Sequence, residues 1–256
     1  MLGLSNKYLG YMRVTKNQRY KVHKIPKSKG KFRTVYEADK QLKVVQYLIL
    51  EQELSQIPLP DYLYAFEKGK SVRDMAEVQT RKAFILSWDI KDFFGSIRQK
   101  LVQEVLEKYF SKEKAKILSE LVCYRSFVPQ GTVTAPKIAN IITAHTFGPE
   151  LLEYFNQHGG VLTIYADDIT VGFDRLLTPS EVKNYTKIVV DTLYKYRFRV
   201  SHQKTKAMPW FRRQYVVGAV VNAKVNLAVE NRDRLKAAVH GLKVRGVEAE
   251  AARTWR

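Results

Sequence analysis

Val161-Leu162-Thr163-Ile164-Tyr165-Ala166-Asp167-Asp168-Ile169-Thr170-Val171-Gly172-Phe173 holds two β-rich runs separated by Ala166-Asp167-Asp168. Branched and aromatic side chains favour pleated strands, and a short break between two such runs predicts an antiparallel hairpin with adjacent acids at its turn. An Asp-Asp pair in a turn is most often turn chemistry, because Asp tolerates left-handed backbone and bonds its own amides. Here the flanks are apolar, and acids this near strand cores are seldom incidental. Upstream, Ala83-Phe84-Ile85-Leu86-Ser87-Trp88 is an apolar run ending at Asp89, predicting a buried strand that delivers a third acid at its end. Asp89, Asp167 and Asp168 converge if the two strands are neighbours in one antiparallel sheet. The 78-residue separation of Asp89 from Asp167 leaves room for intervening helices.

Such a cluster has a specific chemical use. Mg²⁺ prefers oxygen ligands and takes one or two protein carboxylates plus substrate phosphates. Two such ions can activate a 3′-hydroxyl and stabilise a departing pyrophosphate, the two needs of nucleotide addition.

The rest of the composition points the same way. The chain has 256 residues, 45% of them hydrophobic, enough for a substantial core in one domain or two small ones. A formal net charge of +19 suits a polyanionic partner, nucleic acid first. Between Met1 and Lys43, 12 Lys or Arg face only Glu37 and Asp39, which reads as a phosphate-facing surface or a solvated basic face. The single cysteine, Cys123, excludes an intramolecular disulfide, and a reducing cytoplasm is expected. His23, His145, His158, His202 and His240 show no metal-ligand spacing. No apolar run approaches membrane-spanning length, so no membrane partner is expected.

Tyr20 to Val35 alternates apolar and basic residues around Gly30 and reads as a hairpin with a cationic tip, Pro26 to Lys31. Helices are predicted over Asp39–Leu54, Leu101–Phe110, Glu113–Tyr124, Pro136–Phe147, Ser180–Tyr196 and Asn231–Leu242. The run after Pro136 is expected to break at Gly148-Pro149, and Thr178-Pro179-Ser180-Glu181 starts the helix that follows the hairpin. A strand pair is predicted around Tyr215 to Val221. On extended backbone successive side chains face opposite ways, so Phe93 is expected in the core if Phe94 faces the site.

Tyr165-Ala166-Asp167-Asp168 resembles the YxDD box of reverse transcriptases, and Asp89 to Ile97 (Asp-Ile-Lys-Asp-Phe-Phe-Gly-Ser-Ile) resembles their first catalytic motif. Val128-Pro129-Gln130-Gly131-Thr132, with Pro136 and Asn140, resembles the intervening PQG motif, and the three occur in the family's order. Ile25 to Arg33 with Leu42, Lys43 and Gln46 is similar to the family's fingers motif, and Lys204-Thr205 to its later palm lysine. The resemblance implies an α+β right-hand polymerase with an antiparallel palm sheet backed by helices: fingers 1–83, palm 84–222 and a short, partial thumb 223–256.

It also implies roles. Asp89, Asp167, Asp168 and the Ile90 carbonyl would hold two Mg²⁺ ions; Lys27 or Lys29, with Arg33, would neutralise the triphosphate. Phe94 would exclude a 2′-hydroxyl, Gln130 would contact the incoming nucleotide and Lys204 would assist the leaving pyrophosphate. The basic residues Lys195, Arg197, Arg199, Arg212, Arg213, Arg232, Arg234 and Lys236 are candidates for nucleic-acid contact, by backbone tracking with aromatic stacking. Within the family the chain most resembles bacterial retron enzymes, on Ala65-Phe66-Glu67-Lys68-Gly69-Lys70-Ser71 and on Val216-Val217-Gly218 with Val221-Asn222. That subtype implies dNTPs, a structured noncoding RNA template, an RNA-DNA product, antiphage defence and an effector protein as a further partner. Abortive-infection, diversity-generating and intron-type enzymes share the acids and stay open as alternatives, as does a non-catalytic RNA-binding scaffold.

Overall fold

In a computed structural model describing residues 2–27 and 30–247, the first helix, α1 (Asn6–Thr15), is capped by Ser5, whose hydroxyl accepts from the Tyr8 amide. Strands β1 (Tyr20–Lys27) and β2 (Lys31–Ala38) pair antiparallel from Tyr20↔Ala38 to Lys27↔Lys31. Asp39 then caps α2 (Lys40–Ile49), accepting from the Leu42 amide at 2.8 Å, and the helix runs on as a π-helical turn, Leu50–Leu54. α3 (Val72–Val78) starts at a capping box of Ser71 and Asp74.

Next comes β3 (Phe84–Asp89), then a single turn α4 (Phe93–Ser96), α5 (Gln99–Leu106), α6 (Lys112–Val122), α7 (Ala135–His145) and α8 (Phe147–Gln157). β4 (Gly160–Tyr165) and β5 (Asp168–Phe173) form the predicted hairpin. α9 (Pro179–Lys195) follows behind a Thr178/Glu181 capping box. Short strands β6 (Lys206–Pro209), β7 (Tyr215–Val216), β8 (Ala219–Val220) and β9 (Asn226–Leu227) lead to α10 (Val229–Arg245).

The central sheet is antiparallel, in the order β4-β5-β3-β6. β3 lies in its middle, and its side chains alternate between two apolar layers. Phe84, Leu86 and Trp88 enter the main core with Phe147, Phe155 and Leu193 from α8 and α9, while Ile85 enters a smaller core with Met75 of α3, Met208, Val216 and Val221. Burial on both faces explains why β3 reads as a continuous apolar run rather than an alternating one. The β1–β2 hairpin is joined to this body by a cluster of rings, Tyr20, Tyr36, Tyr124 and Phe127, with centroids 4.9 to 5.7 Å apart. No described helix is long and apolar enough to cross a membrane.

Three expectations are corrected. The chain does not stop being helical at Gly148-Pro149: the break falls at Thr146, and both residues lie in the first turn of α8, where proline's missing N–H is harmless. α5 ends at Leu106 rather than Phe110. The final helix is longer than Asn231–Leu242 at both ends. α1, α3, β6 and β9 carry no strong periodic signal and were not predicted from the sequence; α8 was not predicted either, although Phe147, Leu151 and Phe155 recur at helical spacing, because Gly148-Pro149 was read as a break.

Candidate active site

Strand register brings the three acids together. Asp89 is the partner of Asp168 across β3 and β5, and Tyr165 the partner of Asp168 across the hairpin, leaving Ala166 and Asp167 as a two-residue turn. The Ile90 amide donates to the Asp167 carbonyl at 2.9 Å, fastening that turn to the end of β3. On the other side, Ser201 donates to the Asp89 carbonyl at 2.7 Å and Lys91 to the Arg199 carbonyl at 2.8 Å. This pairing draws on the Asp89 and Arg199 carbonyls rather than that of Ile90. Ala166 has φ of +54°, and positive φ at the first central residue alone marks a type II′ turn, which favours glycine there. A Cβ in that position costs about 1 kcal/mol, strain held where the acids are presented.

The electrostatics are those of a crowded anionic site. Asp89 is buried, and burial pushes the Asp167 carboxyl above its ordinary range, with Asp89 adding to the effect. Asp168 is pushed up to about 6, by burial first and then by Asp167 and Asp89. Opposing this are Lys204, Lys206 and, toward Asp167, Arg33. The Lys204 ammonium donates to Asp89 Oδ2 at 2.5 Å. Among the described residues, no three His, Cys, Asp or Glu side chains gather into a ready metal cage. Mg²⁺ does not require one, since it binds through one or two carboxylates with substrate phosphates completing the shell. Desolvated carboxylates that repel one another fit such a cation.

A cleft of about 670 Å³ adjoins the acids, lined by Ile25, Pro26, Arg33, Phe66, Phe94 and Gln130 among others. It is walled by β1 and β2 and floored by the loop before α7. The Tyr36 amide donates to the Gln130 carbonyl at 2.8 Å, so β2 holds that loop directly. At Gly131, φ is +102° and a Cβ would stand 2.5 Å from Val35 Cγ1, so only glycine lets hairpin and loop meet.

Arg33, Phe94 and Gln130 are thus brought into one cleft. Lys27 closes β1 opposite Lys31, whereas Lys29 lies outside the described residues. Phe93 is 4% exposed and Phe94 half-buried in the cleft, the arrangement expected, though helical-turn geometry rather than extended backbone separates them. The basic candidates are more dispersed. Lys195 is paired with Glu150 at 2.6 Å and Arg213 with Glu230 at 2.9 Å, while Arg197, Arg199 and Arg212 are exposed, as are Arg232, Arg234 and Lys236 on α10. Of the aromatics among them, Phe198 is core, Tyr196 bonds Glu150, and Trp210 and Phe211 face solvent.

Sequence reasoning missed one site residue, Phe66, and read another, Lys206, only as part of a basic stretch suited to nucleic acid; at the start of β6, Lys206 acts on Asp168. Phe66 lines the cleft with its ring 6.5 Å from Phe94 and 6.3 Å from Tyr165; its only signal was membership of the Ala65 to Ser71 segment.

A hairpin of paired acids beside a central strand acid, next to a largely apolar cleft that holds Arg33, is an arrangement suited to nucleotidyl transfer, and comparison with known proteins gives the family. The chain belongs to the reverse transcriptase (RNA-dependent DNA polymerase) family, whose model matches residues 25–237. It is similar to the retron Ec86 reverse transcriptase of Escherichia coli, 24% identical over 246 residues, covering 94% of this chain and 76% of that protein. It is also similar to the retron Se72 reverse transcriptase of Salmonella heidelberg, 30% identical over 210 residues, covering 80% of this chain but 55% of that protein. Among solved structures it shares its fold with the apo telomerase from Candida tropicalis, with a TM-score of 0.58, 14% identity and coverage of 81% of this chain and 47% of the telomerase. The foamy viral protease-reverse transcriptase in complex with double-stranded DNA matches at a TM-score of 0.52 and 17% identity, over 85% of this chain and 32% of the viral chain. The fold is therefore the right-hand polymerase fold, mixed α and β around an antiparallel sheet.

Proposed function

We propose that the chain is an RNA-directed DNA polymerase of retron type, copying part of a structured noncoding RNA into single-stranded DNA by two-metal-ion nucleotidyl transfer, in the cytoplasm and in the service of antiphage defence. One observation carries the polymerase reading. Asp89 and Asp168 face each other across paired strands, with Asp167 fastened beside them, next to a cleft that holds Arg33, Phe94 and Gln130. Likeness to the Ec86 and Se72 retron enzymes supports the subtype.

In this reading residues 1–83 are fingers, 84–222 palm and 223–256 a partial thumb. Asp89, Asp167, Asp168 and the Ile90 carbonyl hold two Mg²⁺ ions, which when bound supply activation of the primer hydroxyl and charge stabilisation at the leaving pyrophosphate. Arg33, with Lys27 or Lys29, receives the triphosphate, the guanidinium as a two-pronged donor and the lysine as a point charge. The Phe94 ring stands where a ribose 2′-hydroxyl would clash, Gln130 meets the incoming nucleotide, and Lys204 stands by the leaving group. Lys195, Arg197, Arg199, Arg212, Arg213, Arg232, Arg234 and Lys236 follow the phosphate backbone of template and product. An effector protein is the remaining partner in the retron reading.

The test is primer extension on an RNA template with dNTPs. Asp167→Ala and Asp168→Ala should each abolish synthesis while RNA binding persists, because the acids serve chemistry and the basic surface serves affinity; retained synthesis overturns the assignment. Nucleic acid carried by the protein from its native host should be a discrete structured RNA joined to DNA. RNA without attached DNA removes the retron reading and leaves the polymerase standing.

A further inference from the structure

Phe66 sits in an unusual backbone state for a large side chain, with φ of +62°. Left-handed backbone is disfavoured for a residue with a Cβ, so surrounding contacts must impose it. They come from α7. The buried Asn140 amide donates to the Ala65 carbonyl at 2.7 Å and to Glu67 Oε1 at 3.1 Å, and Lys137 approaches Glu67 at 3.5 Å. Ala65 is fully buried, Glu67 is held on the other side, and the residue between them is turned outward into the cleft.

What the Phe66 ring meets there is specific. It lies between Phe94, 6.5 Å away with ring planes at 52°, and Tyr165, 6.3 Å away at 42°, both within the range of tilted aromatic pairs. It is nevertheless 50% exposed, so little core packing depends on it. A strained, half-exposed aromatic fixed by buried hydrogen bonds is poorly explained as a stabilising contact and well explained as a backstop.

We infer that Phe66 is a positioning residue for sugar selection: it limits the rotation of Phe94 from behind and couples that ring to the hairpin carrying Asp167 and Asp168. The inference rests on the reading of Phe94 as the sugar gate. Without the backstop, Phe94 can swing aside and admit a 2′-hydroxyl, so selection against ribonucleotides falls while addition of deoxynucleotides persists.

Phe66→Ala, Phe66→Tyr and Phe94→Ala should be compared in single-nucleotide addition with Mg²⁺, measuring kcat and KM separately for a dNTP and its matching rNTP, alongside thermal unfolding. Phe66→Ala should lower the dNTP over rNTP preference about tenfold, roughly the worth of one strong aromatic pair, chiefly through rNTP KM. Its melting temperature should fall by no more than a few degrees, and Phe66→Tyr, which keeps the ring, should retain the preference. An unchanged preference in Phe66→Ala beside a relaxed one in Phe94→Ala overturns the backstop and leaves the gate in place. No change in either variant overturns the gate, and the backstop with it. Equal loss of dNTP and rNTP addition, or failure of Phe66→Tyr to retain selection, also overturns the inference.

Discussion

The Lys204 ammonium lies 2.5 Å from a carboxylate oxygen of Asp89, joining a half-exposed side chain to an almost fully buried one. This lysine is therefore a built-in counterion to the acids and competes with any cation that they bind. Lys204→Ala should tighten Mg²⁺ binding to the free enzyme while lowering kcat by about 10²-fold, the usual loss when a proton-donating or charge-stabilising group is removed. Calorimetric titration with Mg²⁺ and steady-state dNTP addition read the two effects. Weaker Mg²⁺ binding would show that the lysine organises the acids rather than competing for them.

The acids also set a pH dependence. Asp168 is raised to about 6 from an ordinary 3.8, so the folded protein holds this proton more tightly than the unfolded chain. The resulting penalty is absent below about pH 4, grows as pH rises toward 6 and is complete above it, at roughly 3 kcal/mol. Protein stripped of divalent ions should therefore melt at a lower temperature at pH 7.5 than at pH 5. Asp168→Asn should abolish most of that difference. A melting curve independent of pH in both proteins contradicts the crowding of charge at this site.

Gly131 is the point at which hairpin and loop touch. Gly131→Ala places a methyl group 2.5 Å from Val35 Cγ1 on a backbone with φ of +102°. The expected result is a rise in dNTP KM of at least tenfold, with a loss of stability of about 1–3 kcal/mol, because the bond from Tyr36 to Gln130 cannot survive the shift. Primer extension at graded dNTP and urea unfolding measure the two parts.

A stabilising change is available far from the acids. Tyr124 and Phe127 exchange both backbone hydrogen bonds around Arg125 and Ser126, whose φ values are +43° and +71°. Both central residues of this tight hairpin turn are left-handed, the arrangement that Asn-Gly satisfies and Arg-Ser does not. Ser126→Gly should raise stability by about 0.5–1 kcal/mol without altering synthesis, visible as a higher urea midpoint at unchanged slope. A lower midpoint would mean that Ser126 makes compensating interactions.

Legibility in the sequence followed a simple physical division. β3, β4 and β5 were readable because both faces of the sheet are buried and each strand carries its own apolar run, so the meeting of Asp89 with Asp168 could be anticipated. β6 was not, because Lys206-Ala207-Met208-Pro209 has no alternation of its own and is a strand only where β3 supplies partners. α1 escaped notice for a related reason: it buries only Leu9 and Met12. Arg33, Phe94 and Gln130 were found through their motifs, but their common cleft depends on the contact between β2 and the loop at Gln130. Phe66 was unreadable, since its backbone state is imposed by Asn140, more than seventy residues away.

The place of β3 in the sheet bears on how the protein is made. Both of its neighbours, β5 and β6, come later in the chain, and its first partner begins about 80 residues further on. At translation rates of roughly 5–20 residues per second, an apolar strand with two unsatisfied edges waits about 4–16 s before it can be paired. During that interval Phe84 to Trp88 is open to self-association along both edges. Its yield in a foreign host should depend on chaperone supply and slow growth more than on the stability of the finished fold.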